Sequence, residues 1–491
     1  MALLAIDAGT TGVTALLVDE AATVVARGYR EFPQYFPADG WVEHDLGEIW
    51  AATLAAVQEA LAGAPERVTA VGITNQRETL AIWDRETLGA ARRAIVWQDR
   101  RTAAICADLR AQGHDDRVRE RTGLRLDPYF TGTKLTWVRA NDPSAWAGVE
   151  SGRHAVGTID SYLVARMSRG LFHITDHTNA SRTLLYDLHT GDWSDELCAL
   201  LQVPRAALPE LVASYGALAH TDPKVFAGID APITGIAGDQ QAALVGQACL
   251  SPGTAKCTYG TGSFLLLHTG DTPVPSPGGL LTTVALAHPD GRRDFALEGA
   301  VFVTGSAVQW LRDGLGILES SAQVEELARS VPDSGGVVFV PALTGLGAPW
   351  WDPDARGLII GITRGTTRAH LARATLDSIA WQVRDIVALM RDEAGLSVPS
   401  LAIDGGAAAN DLLCQLQADA LGLPVDRSAE LQTTGLGAAF LAGLGSGVWS
   451  GPDDLRRTRS SSGVFAPQPV DPDEVTRWHE AVHRSQHWAD S

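Results

Sequence analysis

The stretch GIAGDQQAAL, residues 235–244, sets one acid, Asp239, among small and apolar residues. An unpaired carboxylate is costly to bury in such surroundings, so Asp239 needs partners or a task. Two tasks fit. As an N-cap it would accept N–H bonds from the helix that Gln-Gln-Ala-Ala-Leu begins; as a general base it would take a proton from a reacting hydroxyl. These residues alone leave both open. A second charged group, Gln76-Arg77-Glu78, stands in ITNQRETLAIWD (73–84) between two apolar runs. An arginine fork beside two carboxylate oxygens suits neighbouring hydroxyls, each of which donates and accepts, although a surface ion pair has the same composition. Trp97, Tyr129 and Phe130 follow, as ligand wall or as core.

Phosphate chemistry has its own candidates. The turns in LLAIDAGTTGVTALLV (3–18) and AKCTYGTGSFLLLH (255–268) bring Gly and Thr together, so several N–H groups and hydroxyls are offered where glycine permits close approach. Two such turns facing one another would clamp phosphates; singly, each is an ordinary hairpin turn. AIDGGAAAND (402–411) runs from an apolar strand through Gly-Gly into a helix, and bare backbone there would admit a flat adenine. The commoner nucleotide devices are missing. None of the three lysines, Lys134, Lys224 and Lys256, follows a glycine, which excludes a P-loop, and GLGAAF (435–440) is no Rossmann fingerprint.

The elements that must position these residues repeat. Each Gly-Thr hairpin opens about two hundred residues in which strands alternate with helices, among them 48–63, 366–393 and 410–422. This faint duplication predicts two α/β domains of like topology, with a boundary near CLSPGTA, 249–255. The loop at 268–279 reads as exposed, and 471–491 as a polar helix with Val475, Trp478 and Val482 on one face.

Composition excludes other classes. The chain has 491 residues, 45% of them hydrophobic, enough for a large core in two or three domains. A formal charge of −19 argues against nucleic acid or an anionic membrane as partner. Five scattered cysteines without a C-x-x-C pair imply neither a disulfide framework nor a zinc knuckle, and a reducing cytoplasm fits them. The N-terminus, broken by Asp7, reads as a strand and not a signal peptide, and no apolar run would span a bilayer. HEAVH (479–483) matches a zinc-protease pattern through His479, Glu480 and His483, but only His487 follows as a further ligand. The sequon Asn179-Ala180-Ser181 is idle in a cytoplasmic chain.

Taken together, IDAGTTG, GITNQRET, IVWQDRRT, DPYFTGTKLTW, GTIDSYL, NASRT, GIAGDQQAAL, TYGTGSF, LEGAVFVTGSAVQWLRDG, LTGLGAPWWDPDARG, GLIIGITRGTTRAHLARATLDSIA and IDGGAAAN resemble the FGGY family of carbohydrate kinases, in its glycerol kinase branch. They run in order from residue 5 to about 450. The resemblance implies two ribonuclease-H-like domains of the actin and hexokinase type flanking a cleft, 1–250 for glycerol and phosphate and 251–491 for nucleotide. It implies ATP-dependent phosphorylation of glycerol to sn-glycerol 3-phosphate, with ATP and Mg2+. Arg77, Glu78, Trp97, Tyr129, Asp239, Gln240 and Phe264 would hold glycerol, and Asp239 would be the base. Thr10, Thr11, Thr261, Gly262, Gly305, Gln309, Gly406 and Asn410 would hold the nucleotide, and Asp7 would position the metal through water. Kinases of other small polyols (erythritol, dihydroxyacetone) and a weakly active actin-like ATPase or polyol sensor are the rival expectations; oligomeric state is left open. Two departures stand out. Ala8 replaces a Gln, and Gly12, Val13 and Thr14 replace Ser-Ser-Arg, whose arginine would sit near the phosphates. DPKVFAGIDAPI (222–233) lacks the Gly-rich basic loop that binds fructose 1,6-bisphosphate in some members.

Overall fold

A computed structural model describes residues 2–64 and 67–490. The first hairpin joins β1 (Ala2–Ala8) to β2 (Gly12–Val18), and β3 (Val24–Glu31) continues it antiparallel. With β4 (Val68–Asn75), β5 (Tyr215–His220) and β6 (Pro232–Gly238) they form one sheet in the order β5-β6-β4-β1-β2-β3. The interior strands β1, β4 and β6 are parallel and apolar almost throughout, as strands covered on both faces must be. Helix α1 (Leu46–Gly63) covers one face; its N-cap Asp45 accepts from the N–H groups of Gly47 and Glu48, and Ile49, Trp50, Ala56, Val57 and Ala60 turn inward.

The second sheet repeats the plan. A hairpin of β7 (Ala255–Tyr259) and β8 (Ser263–Gly270) joins β9 (Leu281–Ala287), β10 (Arg293–Val301), β11 (Leu401–Asp404), β12 (Val425–Ser428) and β13 (Ser461–Phe465) in the order β9-β10-β8-β7-β11-β12-β13. Here β7, β11 and β12 are parallel. In both sheets, therefore, an antiparallel hairpin leads into a parallel pair, which is the duplication seen in the sequence.

Two helices made of small residues join the halves. Helix α2 (Asp239–Gly246) follows β6, and α6 (Thr433–Ser446) packs along it and along β1, β4 and β6. Contact is close because of glycine: a Cβ at Gly437 would lie 1.7 Å from the Ala242 carbonyl oxygen. Between them in the chain, α3 (Gly305–Asp313), α4 (Arg368–Ala394) and α5 (Asp411–Leu421) belong to the second half, where α4 packs Ala372, Leu376, Ile379, Val383 and Ile386 into its core. The last long helix, α7 (Pro472–Ser485), buries Trp478 and Val482 with Val475 packed beside them, the face read from the sequence. No helix among the described residues is long and apolar enough to cross a membrane.

Candidate active site

Three neighbouring parallel strands end together, and their carboxyl ends carry the chemistry, where ligands of open α/β sheets sit. Ala8 of β1 and Gly238 of β6 both pair with Asn75 of β4. Asp7 therefore lies at the end of β1, Gln76-Arg77-Glu78 follow β4, and Asp239 follows β6. Gly238 occupies the cap position of α2 and Asp239 is the first helical residue, its Oδ1 accepting from the N–H of Gln240 at 2.7 Å. The capping alternative thus falls to Gly238. Gly238 N–H is in turn fixed by the hydroxyl of Thr178, which donates to the buried Asp176.

Arg77 is the centre of a buried charge network, its side chain 1% exposed. Its Nη2 donates to Glu298 Oε1 at 2.6 Å and its Nη1 to Gln241 Oε1 at 2.8 Å; its Nε lies 3.1 Å from Glu78 Oε1 and 3.4 Å from Asp239 Oδ1. Arg182 closes the ring, bonding Glu78 at 2.8 Å and Glu298 at 2.9 Å. Burial works against the charge on Arg77, but Glu298 and Glu78 outweigh it and raise its pKa well above the ordinary arginine value. Glu298, likewise opposed by burial, is held low by Arg182 and Arg77. Asp239 differs: its side chain is 30% exposed, at the edge of the network. Burial pushes its carboxyl up to about 6, Arg77 offsetting part of the rise. Asp7 is pushed up to about 7 by burial and by the charge of Asp239.

Aromatic walls stand beside this edge. Trp97 meets Tyr129 edge-on at 5.6 Å and Phe264, from the second half, at 6.3 Å. Its indole Nε1 donates to Thr10 Oγ1 at 2.9 Å, tying the wall to the first Gly-Thr turn. Gln76 braces that turn from below, Nε2 to Gly9 carbonyl at 3.0 Å. Arg77, Glu78, Trp97, Tyr129, Asp239, Gln240 and Phe264 are thus brought together at the junction of the two halves.

The second turn is held by α3: the N–H groups of Thr304 and Ser306 bond Thr261 carbonyl at 2.9 and 3.2 Å, and Gly305 N–H bonds Gly260 at 3.1 Å. A Cβ at Gly305 would sit 2.6 Å from the Gly260 carbonyl oxygen, so glycine is needed. Gln309 is exposed one turn further along α3. In the Gly-Gly segment, Gly405 has φ 87° and packs on Tyr259, whereas a Cβ at Gly406 would meet nothing within 4 Å, leaving open backbone. Asn410 caps α5, its Oδ1 accepting from Leu413 N–H at 2.9 Å.

Both halves match known families. The model of the N-terminal domain of the FGGY family of carbohydrate kinases fits residues 2–246, and that of the C-terminal domain fits residues 255–446.

The chain belongs to the FGGY family of carbohydrate kinases.

Among its relatives are the glycerol kinases of Alkalilimnicola ehrlichii, 50% identical with 99% of each chain covered, and of Bordetella parapertussis, 51% identical with 99% of this chain and 97% of the relative covered. A crystal structure of Plasmodium falciparum glycerol kinase with ADP superimposes with a TM-score of 0.93 at 33% identity, over 99% of this chain and 98% of that one. The two-domain actin and hexokinase type of architecture expected from the sequence is the architecture of this FGGY kinase.

Three buried charged residues that the structure brings to this candidate site escaped the sequence reading: Glu298, Arg182 and Lys256. Glu298 carried the same signal as Asp239, an acid inside the apolar strand FALEGAV, whereas Arg182, between Ser181 and Thr183 in NASRTLLY, carried none. Lys256 donates to Gln240 Oε1 at 2.5 Å. The zinc pattern has structural partners instead: His479 bonds Asp385 at 2.8 Å, Glu480 pairs with Arg484, and among the described residues no cluster could hold a metal with three protein ligands. All five cysteines are buried and free.

Proposed function

We propose that this FGGY kinase phosphorylates a terminal hydroxyl of glycerol with ATP, giving sn-glycerol 3-phosphate and ADP. The arrangement that carries the reading is Asp239 at the exposed edge of the Arg77–Glu78 pair, walled by Trp97, Tyr129 and Phe264, at the ends of β1, β4 and β6. Similarity to curated glycerol kinases at about half of all positions supports it.

The chemistry follows from the groups present. Glu78, Arg77, Gln240 and Tyr129 orient the three hydroxyls, and the aromatic rings cover the carbon chain. Asp239 accepts the proton of the terminal hydroxyl while its oxygen attacks the γ-phosphorus and the bond to the ADP oxygen breaks. Phosphoryl transfer needs alignment and charge stabilisation more than complete proton removal, so a carboxylate of raised pKa suffices. Thr10, Thr11, Thr261 and Gly262 approach the phosphates from both turns, and Gly305, Gln309, Gly406 and Asn410 hold the nucleoside. In this scheme 1–250 supplies most of the glycerol pocket and 251–491 most of the nucleotide site, with Phe264, Thr10 and Thr11 crossing over.

Mg2+ fits the acidic corner. The charge of Asp239 reaches Asp7 and helps to push its carboxyl up, so a cation between them would meet that charge, and Mg2+ is commonly held by one or two carboxylates with waters and phosphate oxygens as its other ligands. Asp7 would hold it through water, and when bound it would neutralise phosphate charge.

Incubation with glycerol, ATP and Mg2+, followed by 31P NMR, tests the reading. One ester on a primary carbon, formed one-for-one with ADP, is expected; ADP accompanied by free phosphate alone would refute it.

A further inference from the structure

Lys256 is buried at the seam between the halves, on β7 of the second sheet, and its ammonium reaches across to α2 of the first. Three oxygens surround Nζ: Gln240 Oε1 at 2.5 Å, Thr258 Oγ1 at 3.0 Å and the Phe264 carbonyl at 3.3 Å. An ammonium has three N–H bonds and no acceptor, so three oxygen neighbours use it fully. Two of those partners, Gln240 and Phe264, belong to the proposed glycerol pocket, one from each half.

The amide of Gln240 can turn either end to a ligand, and only its protein partner decides which. With Oε1 taken by a group that only donates, Nε2 is left, and it has no protein partner among the described residues. We infer that Lys256 is a positioning residue for substrate: it fixes the Gln240 amide so that Nε2 donates to a substrate hydroxyl, opposite the acceptor Asp239. The inference rests on the glycerol reading. It adds the polarity of the pocket: one hydroxyl must accept from Gln240 while another gives its proton to Asp239. Burial pulls the pKa of Lys256 below the ordinary lysine value; among the charged groups around it Arg77 adds to the fall, while Asp404 on β11, most strongly, and Asp239 oppose it and favour the ammonium.

The test compares steady-state kinetics of the full-length enzyme carrying Lys256→Met, Gln240→Ala, Gln240→Glu and the Lys256→Met/Gln240→Ala pair. Losing an oriented donor to an uncharged hydroxyl is worth about tenfold in affinity, so Lys256→Met and Gln240→Ala should each raise the glycerol KM about tenfold and leave the ATP KM nearly unchanged. Because both act through one amide, the double variant should match Gln240→Ala alone. Additive losses in glycerol and ATP KM would mark Lys256 as a structural residue and overturn the inference. Gln240→Glu needs no change at the lysine and decides the matter even where Lys256→Met does not fold. Its carboxylate keeps the Lys256 contact but offers the substrate no donor, so its glycerol KM should rise as in Gln240→Ala; a wild-type KM would overturn the inference. Wild-type enzyme inactive with glycerol would sink the glycerol reading itself, a separate result.

Discussion

Arg77 Nε and Asp239 Oδ1 stand 3.4 Å apart, the arginine 1% exposed and the aspartate 30%. One guanidinium thus spends its two terminal nitrogens on Gln241 and Glu298 and presents only its Nε edge to the carboxylate at the cleft. The relationship divides labour between a fixed positive charge inside and an ionisable group at the surface of the pocket.

Asp239→Asn keeps the shape but removes the proton acceptor. Turnover should fall about a hundredfold or more, with a smaller change in glycerol KM, as expected for loss of a general base. Rapid-quench measurement of a single turnover would show whether the chemical step is the one that slows; an unchanged rate would remove Asp239 from the reaction.

The pH profile follows from the same residue. The base must be ionised, and its carboxyl is raised from 3.8 to about 6 by burial, Arg77 pulling the other way. The ionised fraction shrinks as pH falls through that value, so kcat/KM for glycerol should be level above about pH 7 and drop tenfold per pH unit well below 6. A profile flat to pH 4.5 would mean that Asp239 keeps an ordinary carboxyl pKa or takes no proton.

Glu298→Ala tests the buried ring. It would leave Arg77 and Arg182 sharing only Glu78 and Asp239, and breaking a buried pair from one side costs about 3–5 kcal/mol. A clear fall in apparent melting temperature is expected, together with weaker glycerol binding as Arg77 shifts. Wild-type thermal stability would show that the ring is dispensable.

Regulation by fructose 1,6-bisphosphate should be absent. A ligand with two phosphates needs clustered donors, and the segment after β5 offers Lys224 beside Asp222, whose carboxylate already accepts from the Lys224 N–H at 2.8 Å and pairs with Arg169 at 3.1 Å. Asp230 is paired with His220. Titration with millimolar sugar bisphosphate should leave both rate and sedimentation unchanged; saturable inhibition lost in Lys224→Ala would contradict this.

Much of this was legible from the chain because the signals are local. Both Gly-Thr hairpins, the acid after an apolar strand and the paired charges at Arg77 and Glu78 are read within a few residues, and the strand ends place them. What stayed hidden depends on distant partners. Arg77 looks from sequence like a fork aimed at hydroxyls, yet its fork meets Glu298, more than two hundred residues away, and Gln241. Lys256 is one lysine among three until β7 is seen facing α2. Asp239 reads as a possible cap because cap and first helical residue differ by one position, which only backbone geometry separates. Arg169, too, lies far in sequence from the Asp222 it neutralises.

Whether glycerol is the acceptor is read from ADP release in a coupled assay with purified enzyme, ATP and Mg2+. Glycerol, erythritol, dihydroxyacetone and no acceptor would be compared side by side. Release should depend on glycerol, saturate with it, and show the highest kcat/KM for it. Release that proceeds equally without acceptor, or that favours erythritol or dihydroxyacetone, would show that glycerol is not the acceptor.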